Sequence, residues 1–213
     1  DVIRILKDKK PGVDEVTNRL LKHAPPEAIE AITNILNEME DTLQIPSQSL
    51  LTLVALLDKN ELEDRPIGLL STLYRLYVRI RKDDIDLWVR DHIKVWDTAR
   101  GGQDPAAITY RRQMLDEMAI AQGQQVLAAL WDIRKFYDGI NMSALVQEAM
   151  AQGYPQRLLL IGMKVHMAER RVTKYQIIGP PIQPTGGIVP GCGQANVWAK
   201  IKLAPVIQKV VQS

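Results

Sequence analysis

The sequence has little from which a metal centre or a disulfide framework could be built. It contains one cysteine, Cys192, and three histidines, His23, His92 and His166, in 213 residues. A single cysteine cannot form an internal disulfide, and no histidine has a second histidine or cysteine three or four residues away, as a zinc site on a helix requires. These scarcities argue against a disulfide-stabilised scaffold and against a zinc-binding module.

An excess of one charge and a long hydrophobic run are also missing. The 27 lysines and arginines stand against 25 aspartates and glutamates, a net charge of +2, which argues against a histone-like polycation. Apolar runs such as residues 158–163 are far shorter than the roughly 20 residues needed to cross a bilayer, and the N-terminus has no signal-peptide pattern. We expect a soluble globular chain in a reducing, intracellular compartment, with no membrane partner.

Helical and strand-like patterns are intermixed along the chain. Apolar spacing, N-caps and glycine or proline stops predict helices over 26–43, 104–122, 143–152, 155–169 and 195–211, and one long helix, or two broken near 82–84, over 73–96. Apolar runs predict strands over 50–57, 126–133 and near 171–178, the first being followed by a charged loop and a second strand through 65–67. This order favours an α+β or α/β fold, with the aromatic residues Tyr74, Tyr77, Trp88 and Trp96 in the core.

An aspartate ends the predicted strand 126–133. A carboxylate at a strand end, with the backbone carbonyl of the next residue beside it, can hold a divalent cation, and Asp132 and Ile133 fit that arrangement. A solvated or capping aspartate fits the same position, because strand ends are often acidic without having a function. The residues alone leave both interpretations open.

Three further features can contact a phosphate or a nucleic acid. Lys59 and Arg65 flank the loop between two predicted strands and can reach a polyphosphate, although a solvated hairpin fits equally. Arg75 and Arg79 lie on one helix face that can follow a nucleic-acid backbone, although a plain solvated face fits too. The glycine-rich loop 186–191 allows close approach to a ligand, but it matches neither the phosphate-binding loop nor the dinucleotide pattern.

The order of three motifs is more specific than any one of them. Residues 51–69 run from an apolar strand to Lys59, an acidic stretch and Arg65-Pro66-Ile67, followed by a helix. Residues 132–138 contain an aspartate, Asp132, a lysine three residues later, Lys135, and then an aromatic residue and a second aspartate, Tyr137 and Asp138. Residues 187–193 form a glycine-rich loop that leads into a helix. From about residue 14 to residue 211, the chain resembles a reverse transcriptase of the non-LTR retrotransposon (LINE-like) or group II intron type.

The resemblance implies an α+β fold with the fingers and part of the palm of a right-hand polymerase, helix-rich with a small antiparallel sheet. Residues 1–122 would be mainly fingers, 123–139 and 176–213 palm pieces, and 140–175 an insertion between them. The family's usual Gln-Gly is here Pro190-Gly191, and its aromatic-x-Asp-Asp pattern does not occur in the sequence. We therefore expect a fragment that also lacks the thumb and does not polymerise by itself.

The resemblance also implies a set of site residues. Mg²⁺ or Mn²⁺ would be bound by Asp132, as the catalytic carboxylate, and by the backbone carbonyl of Ile133. Deoxynucleoside triphosphates would contact Lys59, Arg65, Lys135, Phe136, Tyr137 and Gly191, with the Tyr137 ring excluding a 2′-hydroxyl. An RNA template and a DNA primer would contact Arg75, Arg79 and Gly187.

Two other interpretations stay open. The chain can be a decayed or repurposed polymerase-like module that binds nucleic acid or protein without catalysis, which Pro190 favours. It can also be an unrelated α+β interaction domain whose matches arise by chance.

Overall fold

The structure, a computed structural model, describes residues 2–60, 63–92, 94, 96–99, 102–128, 132–175 and 177–212. These residues form short 3₁₀ turns at Val2–Ile5 and Ser47–Ser49 and the following helices and strands: α1 Asn18–Lys22, α2 Pro26–Thr42, β1 Thr52–Asp58, β2 Asp64–Leu69, α3 Thr72–Ile80, α4 Lys82–His92, α5 Pro105–Ala121, α6 Met142–Ala151, α7 Gln156–His166, β3 Arg170–Lys174, β4 Ile177–Ile182 and α8 Ala195–Gln212. The fold class is α+β, as the sequence predicts. None of the described helices combines the length and the apolar composition needed to cross a bilayer.

The chain divides into two compact units. The first comprises Asp1–Trp88 and Lys135–Ser213, and the second comprises Val89–Arg134. The first unit holds the sheet and the core described below. The main element of the second unit is α5, which has no buried residue and begins at an aspartate cap, where the Asp104 carboxylate accepts from the backbone N–H of Ala106 at 3.0 Å.

The four strands form one sheet in the order β2-β1-β3-β4. Strands β1 and β2 are antiparallel, with Leu57 opposite Arg65, and β3 and β4 are antiparallel. Strands β1 and β3 are parallel, with Val54 opposite Val172. The expectation of an antiparallel sheet is therefore wrong, because a helical crossover between β2 and β3 returns the chain to the far side of β1, and such a crossover permits parallel pairing.

Two strand predictions are wrong in detail. The strand expected near 171–178 is a hairpin, because Tyr175 has a φ of 48° and the chain reverses between β3 and β4. Of the strand expected over 126–133, residues 126–128 and 132–133 have no regular secondary structure, and residues 129–131 lie outside the described residues. Leu127 is 91% exposed and Ile133 is 52% exposed, so most of the described part of this apolar run is exposed, and it pairs with no described strand.

The core of the first unit lies between α3, α7 and α8. Trp198, Tyr74, Tyr77 and Leu159 are almost completely buried there. Helices α7 and α8 approach closely at Gly162, where a Cβ would lie 2.8 Å from the Trp198 ring. Tyr74, Tyr77 and Trp88 are in the core as predicted, whereas Trp96, in the second unit, is half-buried.

Candidate nucleic-acid interface

The glycine-rich loop lies against the β1–β2 hairpin. Ile188 and Val189 are buried, and the Val189 side chain occupies the space that a Cβ at Gly68 of β2 would need. The carbonyl oxygen of Pro190 would lie 3.3 Å from the same Cβ. The absence of a side chain at Gly68 therefore lets the loop lie on the hairpin, and two of the predicted motifs share one surface.

The same loop is hydrogen-bonded to the segment around Tyr137. The backbone N–H of Ile188 donates to the Tyr137 carbonyl at 2.8 Å, and that of Gly187 donates to the Ile140 carbonyl at 3.1 Å. Gly187 has a φ of +81°, and a Cβ there would lie 3.1 Å from the Asp138 backbone, so both conformation and space favour glycine. The structure thus brings Tyr137 and Gly187, predicted from different motifs, into direct contact.

The side chain of Tyr137 is held from α8. Its hydroxyl donates to Asn196 Oδ1 at 3.0 Å, and the Phe136 ring packs edge-on against it at a centroid distance of 5.4 Å. Lys135 is exposed, in a turn with a φ of 51°. Phe136 and Tyr137 are therefore positioned with the glycine-rich loop, whereas Lys135 extends from the turn.

A buried histidine lies under the loop. His166, at the end of α7, is completely buried, and its Nδ1 accepts from the backbone N–H of Val189 at 2.9 Å. Burial, followed by the nearby charge of Arg170, lowers the pKa of His166 to about 3, so the ring is neutral at pH 7. Arg170 in turn donates to the carbonyls of His166 at 2.8 Å and Gly187 at 3.2 Å. Neither residue belongs to a motif that the sequence displays.

A buried glutamine anchors the C-terminal end of the loop. The Gln194 amide accepts from the Tyr154 hydroxyl at 2.9 Å and donates to the Tyr74 hydroxyl at 3.1 Å. Tyr74 also lies 3.3 Å from Cys192 Sγ, and burial raises the pKa of the Tyr74 hydroxyl and of the Cys192 thiol. These groups therefore stay protonated at neutral pH and serve as hydrogen-bonding partners in the core. A glutamine three residues before an apolar run is only a weak sequence signal for such a buried anchor.

The β1–β2 hairpin presents Lys59 and Arg65 at the surface. Lys59 Nζ forms an ion pair with Glu63 Oε2 at 2.7 Å, and this bond lowers the pKa of Glu63. Arg65 lies in β2 opposite Leu57 and is exposed. Both predicted phosphate contacts therefore lie on one hairpin, with the ammonium of Lys59 already paired inside it.

A second set of ion pairs joins this hairpin to β3 and β4. Lys174 Nζ lies 3.0 Å from an Asp58 oxygen and 2.7 Å from an Asp64 oxygen, and hydrogen bonds to both carboxylates raise the pKa of Lys174. The Tyr175 hydroxyl donates to Asp58 at 2.9 Å. The end of the sheet from which Lys59 extends is therefore cross-linked between its two hairpins.

A cavity of about 460 Å³ brings together three residues that were predicted separately: Arg75, Arg79 and Gly191 all line it. The Arg75 guanidinium donates to the Lys10 carbonyl at 3.0 Å and to Thr72 Oγ1 at 2.7 Å; it is half-buried, and burial lowers its pKa. Arg79 is exposed one turn further along α3. The helix face predicted to follow a phosphate backbone is thus one wall of this cavity.

The predicted metal ligands are in a different setting. Asp132 and Ile133 belong to the second unit, are exposed and lie in an irregular segment. Within the part of the chain that the structure describes, no three histidine, cysteine, aspartate or glutamate side chains are grouped so that they could hold a metal ion. Because Mg²⁺ requires near-octahedral oxygen coordination, one carboxylate and one carbonyl do not form a complete site.

Comparison of the chain with protein-family models and with curated protein sequences finds no match.

Proposed function

We propose that the chain is the fingers and part of the palm of an RNA-directed DNA polymerase of the retrotransposon or group II intron type. The observation that supports this most is the pair of hydrogen bonds between the Tyr137 segment and the glycine-rich loop. The Tyr137 motif would lie under the incoming sugar and the glycine-rich loop beside the template, and these two roles require the motifs to be adjacent. Two motifs that matched the family by chance would have no reason to lie next to each other in the fold.

In this proposal, Tyr137 selects the sugar of the incoming nucleotide. Its hydroxyl is held by the bond to Asn196, and its backbone carbonyl is held by the bond from Ile188. A ring fixed in this way excludes a 2′-hydroxyl by steric overlap, which discriminates against ribonucleotides. The Phe136 ring beside it limits the directions in which Tyr137 can move.

Lys59 and Arg65 bind the triphosphate from the hairpin. Lys59 would have to exchange Glu63 for a phosphate oxygen. An exposed ion pair of this kind contributes only about 0–1 kcal/mol, so the exchange is inexpensive. Arg65, with its planar fork of donors, is suited to two phosphate oxygens at once.

Mg²⁺, when bound, would shield the charge that develops during nucleotidyl transfer. Asp132 and the carbonyl of Ile133 would supply two of its ligands, and the remaining carboxylates would come from an aromatic-x-Asp-Asp segment, which these 213 residues do not contain. We therefore propose that the chain binds nucleic acid and nucleotide by itself but polymerises only within a polypeptide that includes that segment.

The experiment is a comparison of sugar selectivity in such a longer polypeptide. Tyr137→Ala should raise ribonucleotide over deoxynucleotide incorporation at least about tenfold, equivalent to about 1.4 kcal/mol, while Tyr137→Phe, which removes only the hydroxyl, should retain most of the selectivity. Unchanged sugar selectivity in Tyr137→Ala would remove this role from Tyr137.

The second candidate is a non-catalytic polymerase-like module that binds nucleic acid. Two observations favour it: Pro190 stands where the family has glutamine, and Asp132 is exposed and lies outside the strands of the described residues. The two candidates differ in one measurable respect. Only the enzyme extends a primer, and it loses this activity when the Asp132 carboxylate is removed.

A further inference from the structure

The cavity beside α3 has a strongly basic lining although the chain as a whole carries only +2. Five cationic residues and one carboxylate line it: Lys7, Lys9, Arg75, Arg79, Lys82 and Asp86. Two of these cations are already engaged, because Lys82 pairs with Asp86 and Arg75 donates to Lys10 and Thr72. Lys7, Lys9 and Arg79 are exposed, and within the described chain their side chains have no ion pair.

The rest of the lining is largely apolar. Ile5 and Leu6 form it on the N-terminal segment, and Ile85 and Val197 form it from α4 and α8. The volume of about 460 Å³ lies within the range of roughly 300–1,000 Å³ that is usual for small-molecule sites. An apolar hollow with three available cations suits a ligand that has a flat apolar part and at least one phosphate.

One polar group lies in the cavity lining near Lys7. Asn18 is 8% exposed, lines the cavity, and donates through Nδ2 to the Lys7 carbonyl at 2.6 Å. This bond fixes the N-terminal segment against α1 and orients the amide, whose oxygen can accept a hydrogen bond from a base edge. The lining therefore offers apolar contact for a base, one directional polar group for its edge and cations for a phosphate, a combination typical of small-molecule sites.

We propose that this cavity binds one nucleotide unit, with the base against the apolar wall and the phosphate on Lys7, Lys9 and Arg79. The unit is either a free nucleotide or one nucleotide of a single strand, since the two share this chemistry. The proposal rests on the proposed function only in preferring a nucleotide to other anions. It adds Lys7 and Lys9, which lie in none of the sequence motifs.

The test measures binding of a labelled short single-stranded RNA to the 213-residue chain by fluorescence anisotropy over a range of salt concentrations. Lys7→Ala/Arg79→Ala removes two of the proposed phosphate contacts. We expect its Kd to rise about tenfold or more and the slope of log K against log salt to decrease in magnitude by up to about 0.7, because the site neutralises one phosphate.

Two matched variants separate the site from general charge. Arg111→Ala/Lys209→Ala removes the same charges from exposed positions that do not line the cavity, and it should leave Kd within about twofold. Ile5→Trp, at a position 62% exposed, fills the cavity mouth without a charge change; it should weaken binding while leaving the salt slope unchanged. Equal weakening by both double variants would overturn the proposal.

Competition identifies the ligand. Displacement of the RNA by adenosine 5′-monophosphate supports a site for a free nucleotide, and displacement only by an unlabelled strand supports a site for a nucleotide within a strand. Displacement by inorganic pyrophosphate as effective as that by adenosine 5′-monophosphate would contradict a role for the base. Primer extension by the longer polypeptide is scored separately, so loss of extension with intact cavity binding refutes the proposed polymerase and not this site.

Discussion

His166 links the stability of the glycine-rich loop to pH through one hydrogen bond. Its Nδ1 accepts from Val189, while Nε2 is buried and has no hydrogen-bond partner within the described chain. Protonation would add a positive charge next to Arg170. It would also turn Nδ1 from an acceptor into a donor that faces the N–H donor of Val189. Burial, and after it the charge of Arg170, lowers the pKa of His166, so the ring stays neutral in the folded state.

The consequence is a loss of stability in mild acid. An unfolded histidine binds a proton near pH 6.5, whereas folded His166 has a pKa of about 3. Between these values the unfolded state binds more protons, so the free energy of unfolding falls as the pH falls. From pH 7 to pH 5, we expect His166 to account for a loss of about 2 kcal/mol.

Urea unfolding of His166→Asn at several pH values measures this contribution. Asparagine retains an oxygen close to the position of Nδ1 but does not titrate, so the variant should lack that part of the pH dependence. His23→Asn, at an exposed histidine, is the control and should leave the slope as it is. Equal slopes in the wild type and His166→Asn would refute a neutral buried imidazole.

The contact between Gly68 and Val189 gives a second prediction at the residue scale. Gly68→Ala places a methyl group where the buried Val189 side chain lies, and overpacking of this kind costs about 1–3 kcal/mol. Val189→Ala in the same chain should recover much of that loss, giving a favourable coupling in a double-mutant cycle. Thermal or urea unfolding of the four proteins provides the cycle. Additive effects would mean that the loop does not lie on the hairpin.

The sequence predicted some site residues and missed others for a clear reason. Arg75, Arg79 and Gly191 were selected for their chemical type and their spacing, and they line one cavity. His166 and Gln194 were not selected, because their importance comes from burial next to partners far away in the chain. Local spacing does not encode such contacts.

At the scale of elements, the start of α3 depends on a residue far from it in sequence. Asp14 Oδ2 accepts from the backbone N–H of Thr72 at 2.6 Å and from the Ser71 hydroxyl at 3.0 Å. The Ser71 side chain itself forms no cap with the first turn. Asp14 thus satisfies a free donor at the N-terminus of the helix that carries Arg75 and Arg79.

Asp14→Ala should lower the free energy of unfolding by about 1–3 kcal/mol, because it leaves a partly buried helix N-terminus without its acceptor. Asp8→Ala, at an exposed position, is the matched control and should change stability by less than about 0.5 kcal/mol. Chemical denaturation of both variants decides the matter, and equal losses would show that the cap contributes nothing specific.

Prediction of elements succeeded where the local signal and the tertiary environment agree. Helix α5 has its aspartate cap and proline at the predicted start, and the β1–β2 hairpin follows its apolar run and charged turn. The prediction over 126–133 failed because a strand needs a neighbouring strand, and apolar composition alone does not provide one. The β3–β4 turn was missed because it forms at Tyr175 rather than at glycine or asparagine.

At the scale of the whole molecule, the distribution of charge matters more than its sum. A net charge of +2 would give weak non-specific binding to a polyanion. Cations are concentrated at one cavity, whereas Lys59 and Lys174 are used in ion pairs elsewhere. The potential at the cavity is therefore positive although the net charge of the chain is small. We therefore expect nucleic-acid binding to depend on the cations at that cavity and not on the chain's many other surface cations.

The central claim is that the chain belongs to a nucleotide-polymerising enzyme, and primer extension by a polypeptide containing both this chain and an aromatic-x-Asp-Asp segment tests it most directly. With an RNA template, a DNA primer and Mg²⁺, the wild type should extend the primer. Asp132→Asn, folded as judged by circular dichroism, should reduce extension about a thousandfold or more by removing a metal ligand. The exposed control Asp91→Asn should be fully active. Extension that survives in Asp132→Asn, or its absence in the wild type while nucleic acid still binds, would contradict the claim and leave a non-catalytic binding module.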